Sequence, residues 1–168
     1  PDPDSDPCNG AGICDTSGTC VPDGALLSVD DGNPMTVEVC VPGLGVHTWT
    51  APALDPTSST TVRDAWSFVY SGPDPLQVGV APNTIDVREA AVLTGVVRLP
   101  TGGPARLAEV KVLGHPELGS TITDHEGRYL LVVNGGGALT VAVSHAGYLP
   151  VQREVRSAWQ EVSRASDI

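Results

Sequence analysis

"TITDHEGRYLLVVNGGGALTVAVS", residues 121–144, decides how this chain folds. Apolar residues at every second position mark a half-buried strand, because successive Cβ atoms point to opposite faces. "STIT" (120–123) reads as a short strand, and "DHEG" (124–127) as a tight turn whose Gly127 takes a positive φ. "RYLLVV" (128–133) is apolar on both faces, which predicts a central strand. "NGGG" (134–137) turns the chain again. In "ALTVAVS" (138–144), Leu139, Val141 and Val143 point one way and Thr140, Ala142 and Ser144 the other.

The same pattern extends outward on both sides. "AVLTGVVRL" (91–99) reads as a strand and "PTGGP" (100–104) as a turn. "AEVKVLG" (108–114) alternates, with Val110 and Val112 opposite Glu109 and Lys111. "HAGYLP" (145–150) makes a corner, and "VQREV" (151–155) returns as an edge strand. Short strands recur about every ten residues with no helical period between them, which predicts an all-β sandwich.

Composition agrees. Gly 19 and Pro 15 in 168 residues disfavour long helices, while 40% hydrophobic residues give enough apolar area for a core. A net charge of −11 repels nucleic-acid backbones and anionic membranes, so neither is expected as a partner. No apolar run of about 18 residues exists to insert into a bilayer. The opening "PDPDSDP" is no export signal and reads as the interior of a longer polypeptide.

Residues 1–46 read as a loop-rich segment stapled by disulfides among Cys8, Cys14, Cys20 and Cys40, in an oxidising compartment. Zinc is disfavoured because no Cys-x-x-Cys pair occurs and His47 stands apart from the cysteines. Three pairings remain open. Residues 47–90 read as an extended linker, including the Ser/Thr/Pro-rich "APALDPTSSTTVR" (51–63) and one aromatic strand, "AWSFVY" (65–70). Its alternation places Trp66, Phe68 and Tyr70 on one face, as core packing or as a ligand platform. Residues 91–168 form the sandwich domain.

"LTGVV" (93–97), "AEVKV" (108–112), "TITDHEGRYLLVV" (121–133) and "LTVAVSHAGYLP" (139–150) together resemble the carboxypeptidase-regulatory-like, or transthyretin-related, domain. "VLGHPELGSTIT" (112–123), "VNGGGALTV" (133–141), "GYLPVQREV" (147–155) and "AWQEV" (158–162) resemble its version in bacterial YD-repeat (Rhs-like) surface proteins and teneurins. "SFVYSGPDPLQVGVAPNTID" (67–86) resembles the lead-in segment of those proteins. "DDGNPMTVEVC" (30–40) resembles a secreted bacterial Cys-rich repeat that usually carries cysteine where Met35 stands. The resemblance implies a transthyretin-like (prealbumin-like) sandwich of about seven strands. It also implies no catalytic residues and no cofactor, a secreted or cell-surface bacterial location, and a propeller or YD-repeat shell of the same polypeptide as partner.

Other constellations are weighed against plainer uses. Asp124, His125 and Glu126 read as an Asp-started turn, not a metal site. Ser144, His145 and Asp124 lack the glycine elbow that exposes a nucleophile. Asp2, Asp4 and Asp6, joined by Asp30 and Asp31, are weak calcium candidates, because Pro7 stands where a calcium loop needs glycine. Trp159 reads as a docking anchor. The preferred function is a non-catalytic spacer in a large secreted or surface-attached toxin or adhesion protein. The alternative is a module binding a cell-surface glycan or protein through Trp66, Phe68 and Tyr70. A hydrolase ranks last.

Overall fold

A computed structural model of the chain describes residues 53 and 57–168 and, within residues 1–50, the backbone of four strands together with Thr50. β1 (Ile13–Cys14) pairs antiparallel with β2 (Cys20–Val21), setting Cys14 opposite Cys20 in register. β3 (Thr36–Val41) pairs likewise with β4 (Gly45–Thr50), so residues 47–50 belong to a hairpin instead of the expected linker. These strands lie in one compact unit, Pro1–Thr50, and the second unit is Ala51–Ile168. Cys8, the cysteine side chains, and Asp2, Asp4, Asp6, Asp30 and Asp31 lie outside the described residues.

In the second unit the period-two pattern yields seven strands in two sheets. β5 (Ala90–Val96), β6 (Glu109–Val112) and β7 (Ser120–Ile122) are followed by β8 (Arg128–Asn134), β9 (Gly137–Ser144), β10 (Val151–Ser157) and β11 (Val162–Arg164). One sheet runs in the order β10-β9-β6-β7 and the other β11-β5-β8. The alternation in β6 and β9 aims Val110, Val112, Val141 and Val143 into the core. The turn before β8 needs the left-handed backbone of Gly127, which has φ +76°. β10 is an edge strand as its polar sequence predicts. Arg153, opposite Val141 on the inner face of that edge, is nevertheless exposed.

β8 departs from expectation. It is the edge of its sheet, and β5 is central. Its apolar residues on both faces, Leu131 and Val133 on one and Val132 on the other, are fully buried, as are Leu93 and Val92 of β5. Such a pattern reports that both faces are covered and says nothing about the strand's edges.

The second departure is the segment before the sandwich. In place of an aromatic strand at 65–70 there are two helical turns, α1 (Val62–Ala65) and α2 (Ser67–Tyr70). Thr61 caps α1: its Oγ1 accepts from the Asp64 amide at 3.2 Å and donates to the Asp64 carboxylate at 2.8 Å. Ser67 and Ser71 hydroxyls donate to the carbonyls of Asp64 and Ser67, at 3.0 and 2.6 Å. With helix ends satisfied this way, six alternating residues are no longer held to an extended form. α1 lies against β5 and α2 against β8, and Val69 is buried in the common core.

Residues 76–86 then close one side of the sandwich. Val78 makes an isolated bridge with Ser120 of β7, the edge of the four-stranded sheet. Gln77, fully buried, serves the edge of the other sheet. Its Nε2 donates to the carbonyls of Leu118 (2.7 Å) and Val132 (2.9 Å), and its Oε1 accepts from the Val132 amide at 2.7 Å. One side-chain amide therefore takes the place of a neighbouring strand beside β8. Asn134 adds a second clasp, donating to the Thr84 carbonyl and accepting from the Asp86 amide. Near β5, Gln160 holds the left-handed region at φ +57°. Its side chain accepts from the Val62 amide at 2.9 Å and donates to the carbonyls of Val87 and Arg88 at 2.8 and 3.0 Å. These bonds offset the strain of that backbone.

Gln77→Ala leaves three buried main-chain groups without a partner, and we expect a loss of about 3–5 kcal/mol from the penalty for each unsatisfied group. Urea unfolding measures the loss. Amide exchange at Val132 should accelerate by more than the global change in stability accounts for.

Tyr129 offers a second check. It is buried over Gly95, its cross-strand partner, and its Oη has no hydrogen-bond partner. Burial, with a smaller contribution from the Asp167 carboxylate, pushes its phenol up from 10.0 to about 12. The fold favours the neutral phenol, so this stabilisation is complete below the unfolded pKa and is lost as pH rises through the folded one. The loss should reach about 2–3 kcal/mol across that window. Tyr129→Phe should remove it while leaving stability at pH 8 unchanged or raised, measured as the difference between the two proteins' urea midpoints.

Candidate functional site

The turn "DHEG" brings three titratable side chains together in sequence, and the fold uses the two carboxylates locally. The Asp124 Oδ1 accepts from the amides of Glu126 and Arg128, both at 2.8 Å. The main chain closes the turn from the Gly127 amide to the Asp124 carbonyl at 3.1 Å. Glu126 pairs with the Arg128 guanidinium. His125 contributes its carbonyl to the Arg106 Nε at 3.2 Å, while its Nδ1 is buried without a partner. Among the described residues, no three His, Cys, Asp or Glu side chains gather as a metal site.

Ser144 and His145 face different partners. The Ser144 hydroxyl donates to the Glu109 carboxylate at 3.0 Å. That bond is the main reason, with the nearby Lys111 ammonium second, that the Glu109 carboxyl lies below its ordinary range. The His145 Nε2 meets the Arg106 carbonyl at 3.0 Å, which requires the proton on that nitrogen. No serine–histidine bond forms. The imidazole instead holds the 145–150 corner to the loop before β6, and its ring packs against Tyr148 at 5.4 Å.

The three rings expected in a row do not form a strand face. Trp66 stacks on Phe68 with centroids 5.9 Å apart and planes 23° apart. Both rings and Tyr70 are half-buried against the core. Tyr70 is the member that reaches a cleft, an opening of about 290 Å³ also lined by Arg63, Ser71, Asn83 and Thr84. Burial raises the pKa of its phenol.

Trp159 lies on the surface, 58% exposed, at the end of the sandwich formed by the β8–β9 turn. Its indole Nε1 donates to the Gly135 carbonyl at 3.1 Å. The ring rests on Gly136, where any Cβ would collide with it. Gly136, with the Gly135 carbonyl, thus forms a seat for this tryptophan, a use not evident from turn chemistry alone. At the opposite end, the loop before β6 and the β9–β10 corner expose Leu107, Tyr148, Leu149 and Val151, with Leu149 at 88%. Leu107 also holds φ +54°. This second apolar cluster was not expected, because its members come from separate parts of the sequence.

Two sheets of four and three strands, with side chains sealing the turns and one edge, define a transthyretin-like β-sandwich. Residues 85–168 match the teneurin TTR-like domain, and the chain belongs to that family. The match begins after Gln77, so the segment that closes β8 lies outside it although it shares the same core.

The local use of Asp124 is testable. Asp124→Ala removes the acceptor for two amides and should cost about 1–2 kcal/mol, whereas Asp124→Asn keeps an oxygen in place and should cost less than half of that. Added calcium or chelator should leave the melting temperature of all three proteins unchanged.

Proposed function

We propose that this chain is a non-catalytic structural module of a large secreted or surface-attached bacterial protein of the YD-repeat type. It works as a spacer whose ends dock on neighbouring domains of the same polypeptide, a propeller or shell. One observation carries this: large apolar side chains are exposed at both ends of the sandwich, Trp159 at one and Leu107, Tyr148, Leu149 and Val151 at the other, besides Val78, Leu113 and Val162 elsewhere on its surface. Contiguous exposed apolar surface marks interaction sites. The Asp124 carboxylate, the Ser144 hydroxyl and the His145 Nε2 are turned to internal bonds. Membership of the TTR-like family supports a structural module. No helix among the described residues is long and apolar enough to cross a membrane.

The glycan-binding alternative needs a row of open rings, and Trp66 is instead stacked on Phe68 and turned onto the core.

Docking predicts a context effect. In the 168-residue chain, Trp159→Ala should change stability by less than about 1 kcal/mol, since the ring is largely exposed. Expressed with the neighbouring sequence of its gene, the same substitution should lower the unfolding midpoint clearly, and Trp159 fluorescence should shift to the blue. Unchanged emission, together with glycan binding abolished by Trp66→Ala, would replace the spacer with the binding module.

A further inference from the structure

The path of the chain through the sandwich gives it a direction. β5 begins at Ala90, at the end carrying Trp159 and the β8–β9 turn. β11 runs parallel to β5, with Val162 beside Val92 and Arg164 beside Thr94. Ile168 therefore lies at the far end, near Gly127. The two segments are joined over the whole length of β5 and past it. The Gln160 amide donates to the Ala90 carbonyl (2.8 Å) and the Val92 amide to Glu161 (2.9 Å). The Ala165 amide donates to Thr94 (2.8 Å), Ile168 to Val96 (3.0 Å), and Arg98 to Ile168 (2.7 Å).

We propose that the β5–β11 pair is a shear clamp that lets the module carry tension along its long axis. The inference rests on the structural-module function and adds force-bearing to it. When neighbouring parallel strands are pulled from opposite ends, the bonds between them lie across the direction of force. They must all yield within the same small displacement, so they share the load. Pulled from the same end, the bonds break one after another. Parallel bonds are evenly spaced, which spreads the load along the pair. Packing reinforces the clamp, since Ala165, Val92 and Leu93 are buried. Gln160 fixes the start of β11 to the residues that lead into β5.

Single-molecule pulling on the full chain tests the clamp. Click-reactive side chains at positions 89 and 168 load the pair in shear. The same chemistry at positions 89 and 161 loads it from one end. Glu89 and Glu161 are both exposed, so the handles leave the core intact. The rupture force in the first geometry should exceed that in the second by roughly two- to fivefold, because the ladder and the five flanking main-chain bonds share the load instead of yielding one at a time. Equal forces would overturn the clamp. So would a first lengthening in the shear geometry that frees a strand other than β11. Either result leaves the spacer function standing, whereas glycan binding through Trp66 would remove that function and leave the force ratio as measured.

Discussion

The amide of Gln77 closes a buried edge that the sandwich could not close with its own strands. β8 is apolar on both faces, so it must be covered above and below, yet it lies at the edge of a three-stranded sheet. An edge strand leaves main-chain donors and acceptors open, and buried ones cost more than most side-chain contacts return. Pairing with another strand would solve this, but the neighbouring position is filled by an irregular segment. Gln77 supplies a donor and an acceptor in the spacing of a peptide group and reaches Val132 from that segment. Its second proton reaches Leu118, next to β7, so the edges of both sheets meet at one residue. The helical turns at 62–70 and the Asn134 clasp hold that segment down. The folding unit consequently begins well before residue 85.

Much of this was legible. Alternation in β6 and β9 identified which residues enter the core, and Gly127 marked the turn that needs a left-handed backbone. These features depend on neighbours two or three residues apart. The apolar run of β8 suggests the centre of a sheet because such a run reveals how its faces are covered, not how its edges are paired. The departure at 65–70 has another source. Six alternating residues fit a strand, but the Thr61–Asp64 spacing is a helix-start signal that the alternation masked. Gln77, a lone amide in "DPLQVGV", carries no pattern at all. Its role exists only once β7 and β8 are in place.

The same contrast holds for the site. Asp124, His125, Glu126, Ser144 and His145 drew attention because reactive side chains stood close in sequence. In the fold they close a turn, join that turn and the 145–150 corner to the loop before β6, and link β9 to β6. The apolar cluster of Leu107, Tyr148, Leu149 and Val151 was missed for the opposite reason. The exposure of those residues is a property of the assembled end and leaves no mark on any one stretch. Trp159 was recognisable because a lone tryptophan in a polar run is conspicuous, although its seat on Gly136 was not.

Arg153 gives the outer margin of the sandwich a different character. It stands on the inward face of β10, opposite Val141, yet reaches water at the open border of the sheet. A second molecule laying its own border there would have to desolvate that guanidinium inside a greasy seam. That buried-facing charge therefore works against edge-to-edge pairing of two copies through β10, which guards the open border without covering it.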